Sequence, residues 1–256
     1  MPIIHPSAVI DAAAQLGDAV RIGPFVVIEG DTVLGDGCRI EAHAVIKRHT
    51  RLGPENHVHE HAVLGGTPQH LAFRECESYL EIGAANVIRE GVTMHRAAGA
   101  GDCTRIGEAN YFMAGCHVGH DCTIGNRVVI ANAALLAGHV QVADRAFVSG
   151  AVGVHQFCRI GTLAMVGHNS KVNRDCLPYV VTDGVPARAR GLNLVGLKRA
   201  GVGTDDLRQL RQAYRLLLRA GLGREQSLGR LEALDSPYVA ELAAFVRGST
   251  RGVAPD

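Results

Sequence analysis

The sequence predicts a β-solenoid built from six-residue repeats and followed by a small α-helical domain. Three observations carry that expectation. An apolar residue recurs every six positions from Ile4 to Leu64 without a break, returns in the same phase at Ile82, Ile88 and Met94, and runs again from Ile106 to Val172. Four residues after each of these the side chain is mostly small or β-branched, as at Ala8, Val20, Cys38, Ala44, Cys116, Val128 and Ala134. A spacing of six is not helical, and β-branched enrichment favours short strands joined by turns. Past Val172 the repeat stops and a helical spacing replaces it.

The elements follow in chain order. The first run of repeats, Ile4 to Leu64, forms coils whose small residues fill a narrow interior. Glycine often follows the apolar residue, at Gly17, Gly23, Gly35, Gly53, Gly65, Gly107, Gly119, Gly125 and others, as a chain turning at positive φ would require. Two stretches break the pattern, "GTPQHLAFRECESY" at 66–79 and "RAAGAGDC" at 96–103. Insertions into a solenoid project as loops from one face and often border the binding surface. "DGVPARARG" reads as a linker that ends the coil. Beyond it "TDDLRQLRQAYRLLLRAG" carries apolar residues at Leu207, Leu210, Tyr214, Leu217 and Leu218, and two further helices are expected near 224–234 and 237–247. The expected domains are therefore 1–186, the coil with its two loops, and 187–256, the helical C-terminal domain.

Composition agrees with this plan and excludes several function classes. The chain has 256 residues, of which 47% are hydrophobic but only 4% aromatic, with no Trp and 31 Gly, so small and branched aliphatic side chains must build the core. No basic-then-apolar leader opens the sequence and no run of 18 apolar residues exists, which points to a cytoplasmic protein without a transmembrane segment. Seven scattered cysteines without a CxxC pair suggest reduced thiols, and those at the interior position, Cys38, Cys116, Cys122 and Cys158, are packing residues. A net charge of +1 predicts no bulk attraction to nucleic acid. The near-neutral total hides a basic end, because ten Lys or Arg stand against three Asp or Glu between Pro186 and Arg230. Such a surface suits an acidic macromolecule or phosphate groups.

The chemistry concentrates in "MAGCHVGHDCTIGN", where His117 and His120 lie three apart and Asp121 follows directly. The repeat resembles that of the hexapeptide-repeat proteins, and this resemblance implies a left-handed parallel β-helix with three strands in each coil of 18 residues. Residues 18 apart then stack. From His120 the column passes through Gly138 and Gln156, with His139 and His155 beside them. Three readings of the histidines stay open from the residues alone: a base with its orienting carboxylate, a metal site of the kind found in hydratases of this fold, and a plain scaffold. The metal reading lacks a His-x4-His pair, and "HVHEH" at 57–61 falls in a run of coils with no histidine column, so no metal is expected.

"HVGHDCTIGN", "LLAGHV", "VHQFCRIG", "NLVGLKRAG" and the closing "STRG" resemble the UDP-N-acetylglucosamine acyltransferase family over essentially the whole chain. The resemblance implies transfer of a 3-hydroxyacyl chain from acyl carrier protein to the 3-hydroxyl of a UDP-sugar, opening lipid A synthesis, in a homotrimer with its sites between subunits and without a cofactor. It implies that His120 is the general base, Asp121 its orienting carboxylate and the Gly138 N–H an oxyanion donor. It places Gln69, His117, His139, His155, Gln156, Asn193 and Arg199 on substrates, and His168 at the end of the acyl groove as a ruler. This chain departs from the family's usual loop, carrying His70 for an acid and Ala72 for a lysine, with Val195 and Ala200 further on in place of Glu and Arg. Those departures keep open a related acyltransferase of altered sugar or acyl-donor specificity.

Overall fold

The structure, a computed structural model, describes residues 1–256. Three walls of mostly two-residue strands, in sheets of 11, 9 and 8 strands, enclose one hydrophobic interior. Within a wall each residue pairs in parallel with the one 18 positions on, as Ile4 with Ile22, Ile10 with Ile28 and Leu16 with Leu34. The insertions stretch this register locally, so that Leu52 pairs with Ile82 and Met94 with Val118, after which the 18-residue step resumes. No helix is long and apolar enough to cross a membrane.

The six-residue period is a packing period. Ile28, Ile40, Leu64, Ile88, Phe112, Ile130 and Leu136 point inward and are buried, as are the small residues Ala44, Cys116, Val128 and Ala134 four positions later. Each fully buried aliphatic side chain contributes roughly 1.5–3 kcal/mol, and the core cluster holds 41 buried residues. The interior cysteines are packing residues, as their position in the repeat predicts. Burial pushes the Cys116 thiol up to about 12 and Cys158 to about 11, which suppresses the reactive thiolate.

The glycines that follow the apolar residue correct one expectation. Of those named above only Gly65 has positive φ, at 80°. The left-handed residue instead stands three positions after the apolar one, and it is seldom glycine: Phe25, His43, His61, Asp121, His139 and Phe157 all lie between 57° and 64°. Where glycine does follow the apolar residue, the next coil passes close by. A Cβ on Gly35 would sit 2.6 Å from backbone atoms of Gly53 and Pro54, and one on Gly161 2.4 Å from the Pro178 nitrogen.

The stretch read as a linker is also different. "DGVPARARG" closes a hairpin in which Val180–Asp183, still parallel to the coil strand Met165–Val166, turns back on Arg188–Leu192 in antiparallel pairing. This hairpin caps the wall and seats the helices α1 (Leu194–Arg199), α2 (Thr204–Leu218), α3 (Arg224–Leu231) and α4 (Pro237–Arg247). A second cluster of 16 buried residues joins Leu177, Tyr179 and Val180 of the coil end to Leu210, Leu231, Leu242 and Val246 of the helices. Polar ties lock the same joint: Tyr179 donates to Glu241, and the Arg159 guanidinium lies 4.2 Å from the Phe245 ring centroid. The terminal "STRG" is a strap, in which Ser249 Oγ donates to buried Asp175 at 2.7 Å and the Asp175 N–H donates to the Gly252 carbonyl.

Two glycine substitutions separate close approach from propensity. Gly35→Ala forces backbone against backbone and is expected to cost about 1–3 kcal/mol. Gly229→Ala, on the exposed side of α3 with nothing within 4 Å, is expected to gain up to about 1 kcal/mol. Urea melts of the two variants should move in opposite directions; a Gly35→Ala protein as stable as the parent would refute the crossing as the reason for that glycine.

Candidate active site

One wall of the coil carries a groove of 1090 Å³. Its floor is set by the register of the strands beginning Thr93, His117, Leu135, Gly153 and Lys171, which places those five residues in one outward row. Two positions on, a second row holds His95, Gly119, Ala137 and His155. The 66–79 loop overhangs the floor with Gln69, His70, Leu71 and Ala72.

The 96–103 loop holds that overhang in place. Arg96, itself buried, donates from Nη1 to the Cys76 carbonyl at 2.6 Å and to Ser78 Oγ at 2.8 Å, and pairs with Glu75 through Nη2. Its guanidinium also faces the Phe73 ring at 5.4 Å. His70 is thereby set edge-on to the His120 ring, 5.4 Å between centroids.

His120 follows the strand His117–Val118 and is buried, with its Nδ1 2.6 Å from Asp121 Oδ2. Asp121 is anchored from three sides. Its left-handed backbone donates an N–H to Thr104 Oγ1 at 2.8 Å, the Ala98 N–H reaches both carboxylate oxygens at 3.3 Å, and His139 Nε2 stands 3.6 Å from Oδ2. A carboxylate accepting from Nδ1 leaves Nε2 as the acceptor of the ring. Nε2 faces Gly138, where a Cβ would lie 2.7 Å from it and 2.5 Å from Cε1. Only glycine fits there. The Gly138 N–H has no acceptor in the chain, and Gly119 keeps the approach to it open, since a Cβ on Gly119 would be 2.9 Å from the Gly138 nitrogen. A proton acceptor and an unpaired N–H donor thus share one groove, which is the equipment for proton removal and oxyanion stabilisation.

Two further histidines line the floor. His117 Nδ1 is 2.8 Å from Thr93 Oγ1, and burial lowers its pKa. His95 is more deeply set; burial, then the nearby His117 and His120, depress it to about 4. Both are neutral at pH 7.

Of the residues singled out by sequence, Gln69, His117, His120, Gly138, His155 and Gln156 line the groove. Asp121 and His139 stand behind it, in a 490 Å³ cavity under the two loops, where His139 stacks on Phe157 at 4.5 Å. Asn193, Arg199 and His168 are not on the groove of the single chain. Asn193 caps α1, accepting from the Gly196 N–H at 3.0 Å and donating to the Leu163 carbonyl at 2.9 Å; Arg199 is exposed in the last turn of α1. His168 is exposed beside Gly150. The early coils do have an aromatic column, contrary to expectation: Phe25, His43 and His61 stack at 5.0 Å steps, while His57 binds Glu41. The one set of three potential ligand atoms within 4.8 Å of one another is His120, Asp121 and His139, two of which are already joined by the 2.6 Å hydrogen bond. His95 and Lys171 were not found by sequence reasoning. Lys171 was open to the 18-residue count from Gly153, whereas the 96–103 insertion puts His95 out of step with Gly119.

Three parallel walls of six-residue repeats define a hexapeptide-repeat protein, and the comparisons show that it is a transferase. The bacterial transferase hexapeptide model matches residues 13–48 and 103–138, and the model for domain 2 of UDP N-acetylglucosamine O-acyltransferase matches 175–254. The chain is 52% identical to the acyl-(acyl carrier protein)-UDP-N-acetylglucosamine O-acyltransferase of Alkalilimnicola ehrlichii, with 99% of each chain covered, and 47% identical to that of Anaeromyxobacter dehalogenans, with 98% of each covered. The structure of a UDP-N-acetylglucosamine acyltransferase from Bacteroides fragilis superposes with a TM-score of 0.96 at 37% identity, covering 98% of this chain and 99% of that one. The chain belongs to the UDP-N-acetylglucosamine O-acyltransferase family. It is an acyltransferase with the left-handed parallel β-helix and short helical C-terminal region of that family.

His95 makes stability depend on pH. Its folded pKa of about 4 lies below the unfolded value near 6.5, so the unfolded chain takes up the proton first. The contribution is whole above about pH 6.5 and falls away as pH drops toward 4, by up to roughly 3 kcal/mol. His95→Gln should flatten the stability profile across that window in urea titrations; parallel profiles for variant and parent would refute the assignment.

Proposed function

We propose that the chain transfers a 3-hydroxyacyl group from acyl carrier protein to the 3-hydroxyl of UDP-N-acetylglucosamine, the first step of lipid A biosynthesis, in the cytoplasm and with no metal or cofactor. The observation that carries this reading is His120 Nε2 facing the groove beside the unpaired Gly138 N–H, in a chain 52% identical to an enzyme of that name. His120 takes the proton of the sugar hydroxyl as its oxygen attacks the thioester carbonyl. The new C–O bond forms, the Gly138 N–H receives the oxyanion, the C–S bond breaks and the proton passes from His120 to the leaving phosphopantetheine thiolate. Asp121 steadies the imidazolium. Proton transfer of this kind is worth roughly 10²- to 10⁴-fold, and one oxyanion donor about 10²- to 10³-fold.

Gln69, His117, His139, His155 and Gln156 hold sugar, nucleotide and pantetheine in this reading. Asn193, Arg199 and His168 act across a subunit boundary in a homotrimer. Their position off the single-chain groove and the 53% exposure of Leu135 on its floor support a site completed by a neighbour. The basic end between Pro186 and Arg230 meets the acidic carrier protein. A second reading, a related enzyme for a different sugar, is favoured by His70 and Ala72 on the overhang.

Mass spectrometry of the product formed from UDP-N-acetylglucosamine and a mixture of 3-hydroxyacyl carrier proteins tests the activity. His120→Ala should lower the rate about 10²- to 10⁴-fold, and a variant near parental activity would sink the base assignment. The same mixture reads acyl length. An imidazole at 168 displaces two to four methylenes at about 0.8 kcal/mol each, so chains of about ten carbons should be preferred to fourteen by one to two orders of magnitude. His168→Gly should move the preference to longer chains. An unchanged length profile would remove His168 from the ruler role.

A further inference from the structure

Lys171 is the one lysine or arginine among the residues lining the groove, and no Asp or Glu lines it. It takes part in none of the chain's ion pairs. Asp183, on the adjoining hairpin, is engaged with Ser170 Oγ at 3.1 Å. A lysine without an ion-pair partner, at one end of a groove that no other Lys, Arg, Asp or Glu lines, is suited to an anion carried by the ligand.

The row between the histidines and this lysine describes the ligand. From His117 the floor passes to Leu135, which leaves 53% of its surface open, then to Gly153, where a Cβ would meet nothing within 4 Å, then to Lys171. An apolar step followed by a bare one accommodates a slender, uncharged arm. Three coil steps of ~4.8 Å separate His117 from Lys171, about 14 Å in all. An extended pantetheine arm spans roughly 17 Å between its sulfur and its phosphate at ordinary bond lengths. The diphosphate of a UDP-sugar hangs two ring carbons from the reacting hydroxyl and lies much closer to His120.

We infer that Lys171 binds the phosphate of the acyl donor's phosphopantetheine arm and so fixes how far the thioester reaches toward His120. This rests on the acyl-transfer reading above. It adds a residue to those that the family resemblance places on substrates, and it puts a cation at the donor end of a groove that lacks one at Ala72.

Steady-state kinetics with two small donors, 3-hydroxyacyl pantetheine and its 4′-phosphate, at saturating UDP-N-acetylglucosamine, test the inference in the parent, Lys171→Gln and Lys171→Arg proteins. The parent should show a KM about tenfold lower for the phosphorylated donor, as a charge-assisted contact in a partly open groove implies. Lys171→Gln should abolish that difference by raising the KM of the phosphorylated donor alone, and Lys171→Arg should keep most of it. Equal KM values for both donors in the parent would overturn the inference, as would a Lys171→Gln effect that, in a second series with UDP-N-acetylglucosamine varied at fixed donor, appears in its KM and so assigns the lysine to the nucleotide diphosphate. A parent that transfers from neither donor nor from acyl carrier protein would instead overturn the acyl-transfer reading, and this inference with it.

Discussion

The hydrogen bonds from each coil to the next are the constraint on which everything else in this molecule depends. A two-residue strand cannot stand alone, and here its N–H groups are satisfied by the coil above, as Ile3 to the Val20 carbonyl, Arg21 to Cys38 and Arg39 to Asn56, at 2.8 Å each. Outside the two insertions that ladder keeps one register, 18 residues, and the register dictates the composition. The enclosed triangle is too narrow for large rings throughout, so aliphatic and small side chains alternate down it. Most corners turn left-handed, and at crossings such as Gly35 and Gly161 no Cβ fits.

The site inherits its precision from the same ladder. His120, Gly138 and Gln156 come from three different coils, and the parallel register alone brings them together. The left-handed corner at Asp121 turns its carboxylate toward the ring of the residue before it, and the corner at His139 stacks over the next corner at Phe157. Loops are ordinarily the loose part of such a fold. Here buried Arg96 fastens the 66–79 loop through Cys76, Ser78 and Glu75, while Ala98 of the same segment holds Asp121. One short insertion thereby positions both the overhang and the carboxylate.

The electrostatics of the groove follow from burial. Four histidines gather at one end without a buried charge cluster, because desolvation keeps His95 and His117 neutral and Asp121 is the carboxylate that balances His120. The one lysine of the lining, Lys171, stands at the other end. Interior thiols close by stay inert: Cys116 and Cys122 sit one residue from His117 and from Asp121, yet burial pushes both to about 12. Proximity in sequence to the reactive pair gives them no part in the chemistry.

The sequence by itself determined the coil, the helical end and the His120–Asp121 pair, because a strict period of six and adjacent residues are local properties that need no partner to be read. With the 18-residue coil that the resemblance to hexapeptide-repeat proteins implies, it also gave the stacking of residues 120, 138 and 156, since an unbroken repeat then converts counting into height. Counting failed where the repeat is interrupted. His95 belongs to the row of Gly119, but the 96–103 insertion puts the two 24 residues apart. The reason for the glycines, the hairpin hidden in "DGVPARARG" and the clamp from Arg96 to the first loop were decided by the tertiary structure alone. Each arises from a contact between chain segments whose separation obeys no period, and such contacts exist only once the coils have stacked.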